Sequence, residues 1–118
     1  MKLFAVAAVA AALAVPVATA ANKAPAAITL DGTVGPGFTI KITVNGQKLA
    51  RLKAGTYTIK ISDDSDQHDF HLYGPGVDKK TGVGFQGATV WKLKLKAGTY
   101  KFVCDPHASF MKGSFTVS

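Results

Sequence analysis

Cysteine occurs once in the 118 residues, and the eight positions that begin with it hold most of the chain's metal-binding chemistry: Cys104-Asp105-Pro106-His107-Ala108-Ser109-Phe110-Met111. A thiol, an imidazole and a thioether within one short segment offer two soft sulfurs and a nitrogen. That donor set suits copper in both of its common oxidation states. Taken singly, each residue has an ordinary explanation: a lone Cys packs as a small apolar residue, a Met fills a core, a loop His faces water. Their coincidence, on a stretch that reads as a strand end, a loop and a new strand near Gly113, is what points to a metal. A thiolate with one weak thioether bond makes a site that neither Cu(I) nor Cu(II) must rebuild, which favours one-electron exchange.

A second imidazole would complete a set of two His, one Cys and one Met. The candidates lie in Gln67-His68-Asp69-Phe70-His71-Leu72. On an alternating strand Phe70 and Leu72 face the core and carry His68 inward with them, while His71 falls on the opposite face with Asp69 and Tyr73. Cys104 shares the inward side with Phe102 and Tyr100. His68 is therefore favoured as the upstream ligand, and His71 is the lesser candidate, open if a bulge shifts the register.

These residues must be held by strands. From Ile28 onward the chain has period-two patterning: Phe38, Ile40, Ile42 and Val44; Tyr57, Ile59 and Ile61; Trp91, Leu93 and Leu95; Tyr100 and Phe102; Phe115 and Val117 each alternate with polar residues. Asn45-Gly46 and Gly74-Pro75-Gly76 mark turns. No helical period stands out. About seven short strands predict an all-β antiparallel sandwich with one apolar face per sheet. Trp91 reads as a core anchor. Asp63, Asp64 and Asp66 read as a solvated acidic turn. The hexapeptide LKAGTY occurs twice, at Leu52–Tyr57 and Leu95–Tyr100, as a hairpin entry used twice.

The amino terminus has another character. Lys2 precedes an apolar run from Leu3 to Val17, and Ala18-Thr19-Ala20 supplies the small residues of a signal-peptide cleavage site. The run is shorter than the about 20 residues of a membrane span. The expected organisation is a signal peptide over 1–20, a linker over 21–27 and one domain over 28–118, in a periplasmic or secreted protein. Cleavage after Ala20 leaves 13 Lys and Arg against 7 Asp, a net charge of +6. Such a surface is either simply solvated or suited to an acidic partner or an anionic membrane surface; no nucleic-acid motif is present. In an oxidising compartment a lone thiol needs protection or use. Nothing has the spacing of a Ser-His-Asp triad, and a binuclear copper centre would need a second Cys.

The chain resembles the cupredoxins, the family of plastocyanin, azurin and amicyanin, over roughly Ile28 to Ser118. The resemblance rests on C-x-x-H-x-x-x-M near the carboxyl terminus, on His-Asp-Phe 36 residues upstream of the Cys, and on the strands between. It implies a Greek-key sandwich of about seven to eight strands, one copper held by His68, Cys104, His107 and Met111, and soluble electron transfer by a monomer to redox partner proteins. A copper storage or delivery module is the alternative. Where many members have an Asn after the upstream His, tying the two ligand-bearing segments together, this chain has Asp69. Asp105 follows the Cys where Ser or Thr is common. Two carboxylates are thus expected close together, one with a raised pKa.

Overall fold

The structure, a computed structural model, describes residues 28–118; the expected signal peptide and linker lie outside the described residues. Ten strands follow in chain order: β1 (Thr29–Val34), β2 (Ile40–Val44), β3 (Gln47–Lys48), β4 (Arg51–Leu52), β5 (Gly55–Asp63), β6 (His71–Gly74), β7 (Val77–Lys80), β8 (Gly87–Leu95), β9 (Gly98–Val103) and β10 (Lys112–Val117). The only helical element among the described residues is a single 3-10 turn, Asp105–His107, between β9 and β10. The strands form two five-stranded sheets, ordered β3-β2-β1-β5-β8 and β4-β10-β9-β6-β7. Their inner faces meet over Leu30, Ile42, Ile59 and Ile61 on one side and Leu72, Tyr100, Phe102 and Phe115 on the other, all buried. Phe70 stacks on Phe102, and Tyr100 on Phe115, with ring planes within 7° and 8° of parallel.

The sandwich and its alternation are as expected, with differences that have physical causes. Two strand pairs, β1 with β5 and β4 with β10, are parallel rather than antiparallel. Alternation assigns a residue's face but not its neighbour's direction. The count rises to ten because β3 and β4 are two-residue edge pairings, too short to show a period. Trp91 is only partly buried, packed at the core's margin against Phe70. Asp63 is not part of a solvated turn. It closes β5 with its carboxylate buried, accepting the Ser65 amide and the Thr81 hydroxyl. Burial holds its pKa above the ordinary value.

Candidate metal centre

Three chain segments meet at one end of the sandwich: the loop between β1 and β2, the stretch before β6, and the loop between β9 and β10. The last organises itself. The His107 amide donates to the Cys104 carbonyl at 3.0 Å, the Met111 amide to the His107 carbonyl at 2.9 Å, and the Cys104 amide to the Met111 carbonyl at 3.0 Å. Pro106 suits the first turn of this short helical element, where an N–H would find no partner anyway. The loop therefore fixes Cys104 and His107 relative to each other, and it buries Met111.

Within this frame the side-chain donors converge. His68 Nδ1 lies 3.2 Å from His107 Nδ1. Cys104 Sγ lies 3.6 Å from the first nitrogen and 3.5 Å from the second. The point equidistant from all three atoms is about 2.0 Å from each, close to the distances at which imidazole nitrogen and thiolate sulfur bind first-row metals. Two imidazole nitrogens and a sulfur within 3.6 Å of one another are a metal-binding arrangement. Cys104 and His68 are buried and His107 is half-buried.

The upstream histidine reaches this point by a route other than the expected one. Residues 68–70 precede β6 and are all buried, so strict alternation does not extend through them. Asp69, expected outside, is 1% exposed. Its Oδ1 accepts the Asp105 amide at 2.6 Å, joining the His68 segment to the Cys104 loop. This chain thus makes with a carboxylate the tie that an amide side chain makes elsewhere. Burial, together with the adjacent Asp105 carboxyl, pushes the Asp69 pKa up to about 6. Asp105 moves the other way, held down by its hydrogen bond with Asp69 and, after some opposition from burial, by His71. Below about pH 6 the pair's first proton is held by Asp69, the less exposed member. A protonated Asp69 presents one acceptor and one donor, the pattern of an Asn.

His71 stands outside the cluster. Its Nε2 lies 2.6 Å from Asp78 Oδ1 and its Nδ1 2.9 Å from Asp105 Oδ1. Both nitrogens can donate only as the imidazolium. Burial opposes that charge, but the two carboxylates outweigh it and raise the pKa. With both nitrogens engaged, His71 links the β6–β7 hairpin to the ligand loop.

Burial pushes the Cys104 thiol up, although the nearby backbone amides of Asp69 and His107 pull it down. Loading a metal must therefore displace a proton. Phe38, grouped by its spacing with Ile40 and Ile42, is 66% exposed. It sits before β2, on the loop side, with its ring edge-on to His68 at 5.6 Å and to His107 at 5.1 Å. Nothing in the local sequence distinguishes it from an inward strand residue; only the turn at Gly35–Gly37 brings it here. Gly35 at φ +71° allows that turn, and a side chain there would press within 3.2 Å of the His68 ring.

A two-sheet sandwich with two His and one Cys clustered at its loop end defines a cupredoxin. The chain belongs to the plastocyanin/azurin family of copper-binding proteins, whose family profile matches residues 14–118. Among solved structures it is similar to reduced rusticyanin, with 23% identity, TM-score 0.56, and 78% of this chain and 79% of that one covered. It is likewise similar to rusticyanin from Thiobacillus ferrooxidans, with 24% identity, TM-score 0.55, and 78% and 77% coverage. No curated protein sequence matches the chain. The protein is a copper protein with one copper per chain.

Proposed function

We propose that the protein is an exported one-electron carrier whose copper is held by His68, Cys104 and His107, with the Met111 thioether as the weak fourth ligand. The observation that supports this most directly is the convergence of His68 Nδ1, Cys104 Sγ and His107 Nδ1 in a site whose backbone ties need no metal. When bound, copper supplies a single electron that can be lost and regained. The residues hold the donors in place, so that neither oxidation state requires a new geometry. The buried faces of Cys104, His68 and Met111 exclude water. The lone Cys is used, and so protected, in an oxidising compartment. Export is supported by the apolar leader and its A-x-A end.

Electrons would leave through His107, the ligand that is half-exposed. Phe38 and Phe110, 66% and 59% exposed, flank it at ring distances of 5.1 and 5.6 Å, and Ala108 and Pro106 extend the patch. A small apolar patch gives weak docking, as transient redox encounters require. The net positive charge would steer toward an acidic redox partner.

Voltammetry of the copper-loaded protein tests the role. A reversible couple with copper retained in both states is expected. Rapid loss of Cu(I) to a modest chelator would replace the carrier with a storage or delivery protein. For the exit route, Phe110→Glu should slow transfer to a partner even at high salt; unchanged rates would move the exit away from His107.

A further inference from the structure

The lysines, scattered along the sequence, are brought together by strand register. On the outer face of the first sheet, directly paired residues share a side. Lys48, Thr43, Asp31 and Lys60 form one row across four strands, from the pairings Thr43–Lys48, Asp31–Thr43 and Asp31–Lys60. Lys41 lies opposite Thr33 in the adjoining row, Lys92 opposite Thr58, and Lys94 opposite Thr56. Five exposed lysines and six hydroxyl residues thus cover a five-stranded surface that holds one acid, Asp31. Among the described residues the only ion pairs are those of His71, so none of the five lysines is within 4.0 Å of a carboxylate. The outer face of the second sheet is different: it is concave beneath the ligand loop, and His71, Asp78 and Asp105 interrupt its cations.

We propose that the outer face of the first sheet is a docking surface for an anionic lipid bilayer. Charge complementarity selects a polyanion. The residue types then separate a membrane from an acidic protein. Protein interfaces are enriched in aromatic residues and Arg and depleted in Lys; this face has no aromatic side chain, no Arg and five Lys. Lysine ammonium groups are hydrated point charges without the fixed fork of Arg, suited to a mobile field of phosphate headgroups. Val90 is the one large apolar side chain exposed there, so the contact rests on charge rather than insertion. Docking by this face lays the strands along the membrane. The ligand loop, at the strand ends, then stays at the rim, free to meet a partner. The proposal does not depend on the carrier reading, because binding is measured without reference to the metal.

Sedimentation with phosphatidylglycerol/phosphatidylcholine vesicles, against phosphatidylcholine alone, tests it. The leader, where still attached, brings Lys2 and the terminal amine equally to the unaltered protein and to every variant, so the differences between variants report the sheet's own charge. Each lysine is worth about fivefold in binding, the equivalent of ~1 kcal/mol. Combining Lys41→Gln, Lys60→Gln, Lys92→Gln and Lys94→Gln should therefore weaken anionic binding by on the order of 100-fold or more. The matched set Arg51→Gln, Lys79→Gln, Lys101→Gln and Lys112→Gln, on the second sheet, should keep most of it. On the unaltered protein, vesicles should protect Lys41, Lys60, Lys92 and Lys94 from an amine-reactive reagent and leave Lys101 open. Equal losses in both sets, uniform protection, or no preference for anionic vesicles would overturn the proposal. So would vesicle indifference combined with binding to an acidic protein through this face.

Discussion

At the end of the sandwich remote from the metal centre, Leu52–Tyr57 carries the chain from the second sheet to the first, and Leu95–Tyr100 carries it back. In both copies of LKAGTY the tyrosine hydroxyl donates to the carbonyl of the lysine four residues earlier, Tyr57 to Lys53 and Tyr100 to Lys96. At the metal end the donors come from segments 36 and 39 residues apart. One end is closed by local contacts that a six-residue string encodes twice. The other is assembled only when distant segments dock. The local string does not dictate every detail: Gly98 takes φ +145°, and a side chain there would meet the Pro75 ring at 2.6 Å, whereas Gly55 has no such requirement. Stability and metal chemistry should therefore be separable.

The sharpest test of that separation is Cys104→Ser. It should remove the visible Cu(II)–thiolate absorption completely while the metal-free protein keeps its fold by circular dichroism. His68→Ala should also abolish or convert the colour. Loss of the metal-free fold in Cys104→Ser would show that the two ends are one cooperative unit.

Tyr100→Phe approaches from the other end. Tyr100 is fully buried, and its hydroxyl reaches the carbonyls of both Lys96 and Pro75, at 2.9 and 3.2 Å. Losing a buried hydrogen bond costs about 1 kcal/mol, which lowers the melting temperature of a domain this size by roughly 4–8 °C. The copper spectrum should not change. Tyr57→Phe, with one acceptor, should cost less. A changed spectrum in either would mean that strain passes from one end to the other.

Asp69→Asn sharpens the comparison through pH. The Asp69 pKa lies near 6 in the metal-free fold, against 3.8 for an ordinary Asp. A raised pKa stabilises the fold fully below the unfolded value, and that contribution is lost as pH rises through the folded one. Between about pH 4 and 6 the wild type should lose stability relative to Asp69→Asn, read as denaturant midpoints of the metal-free proteins. Asn keeps the acceptor for the Asp105 amide and carries no titrating proton. Parallel midpoints across that range would place the shared proton elsewhere.

The smallest expected effect belongs to His71→Gln. It should leave the colour nearly intact, since His71 supplies no donor to the cluster. It should loosen the link between the β6–β7 hairpin and the ligand loop, seen as faster amide exchange at Asp105 and His107. A colourless His71→Gln protein would make His71 a ligand.

Much of this was legible in the sequence because the relevant contacts are periodic or local. Burial imposes period two on β5, β8, β9 and β10, and a lone Cys followed closely by His and Met narrows the chemistry to soft-metal binding. The loop's hydrogen bonds span at most seven residues, so it carries its own geometry. What the sequence could not show depends on which distant segments meet. Period two places Asp69 on the outer face, whereas the irregular stretch before β6 buries three consecutive residues. The spacing of Phe38 matches that of the strand residues after it, and only the turn before it aims the ring at the two histidines. The parallel pairings were hidden because side-chain alternation carries no information about a neighbour's direction. The lysine face was invisible for the same reason: register across four separate pairings gathers charges that lie up to 53 positions apart. Composition and local pattern settle which residues are buried and what chemistry they offer. Tertiary docking decides which of them stand within bonding distance, because that depends on how the sheets close.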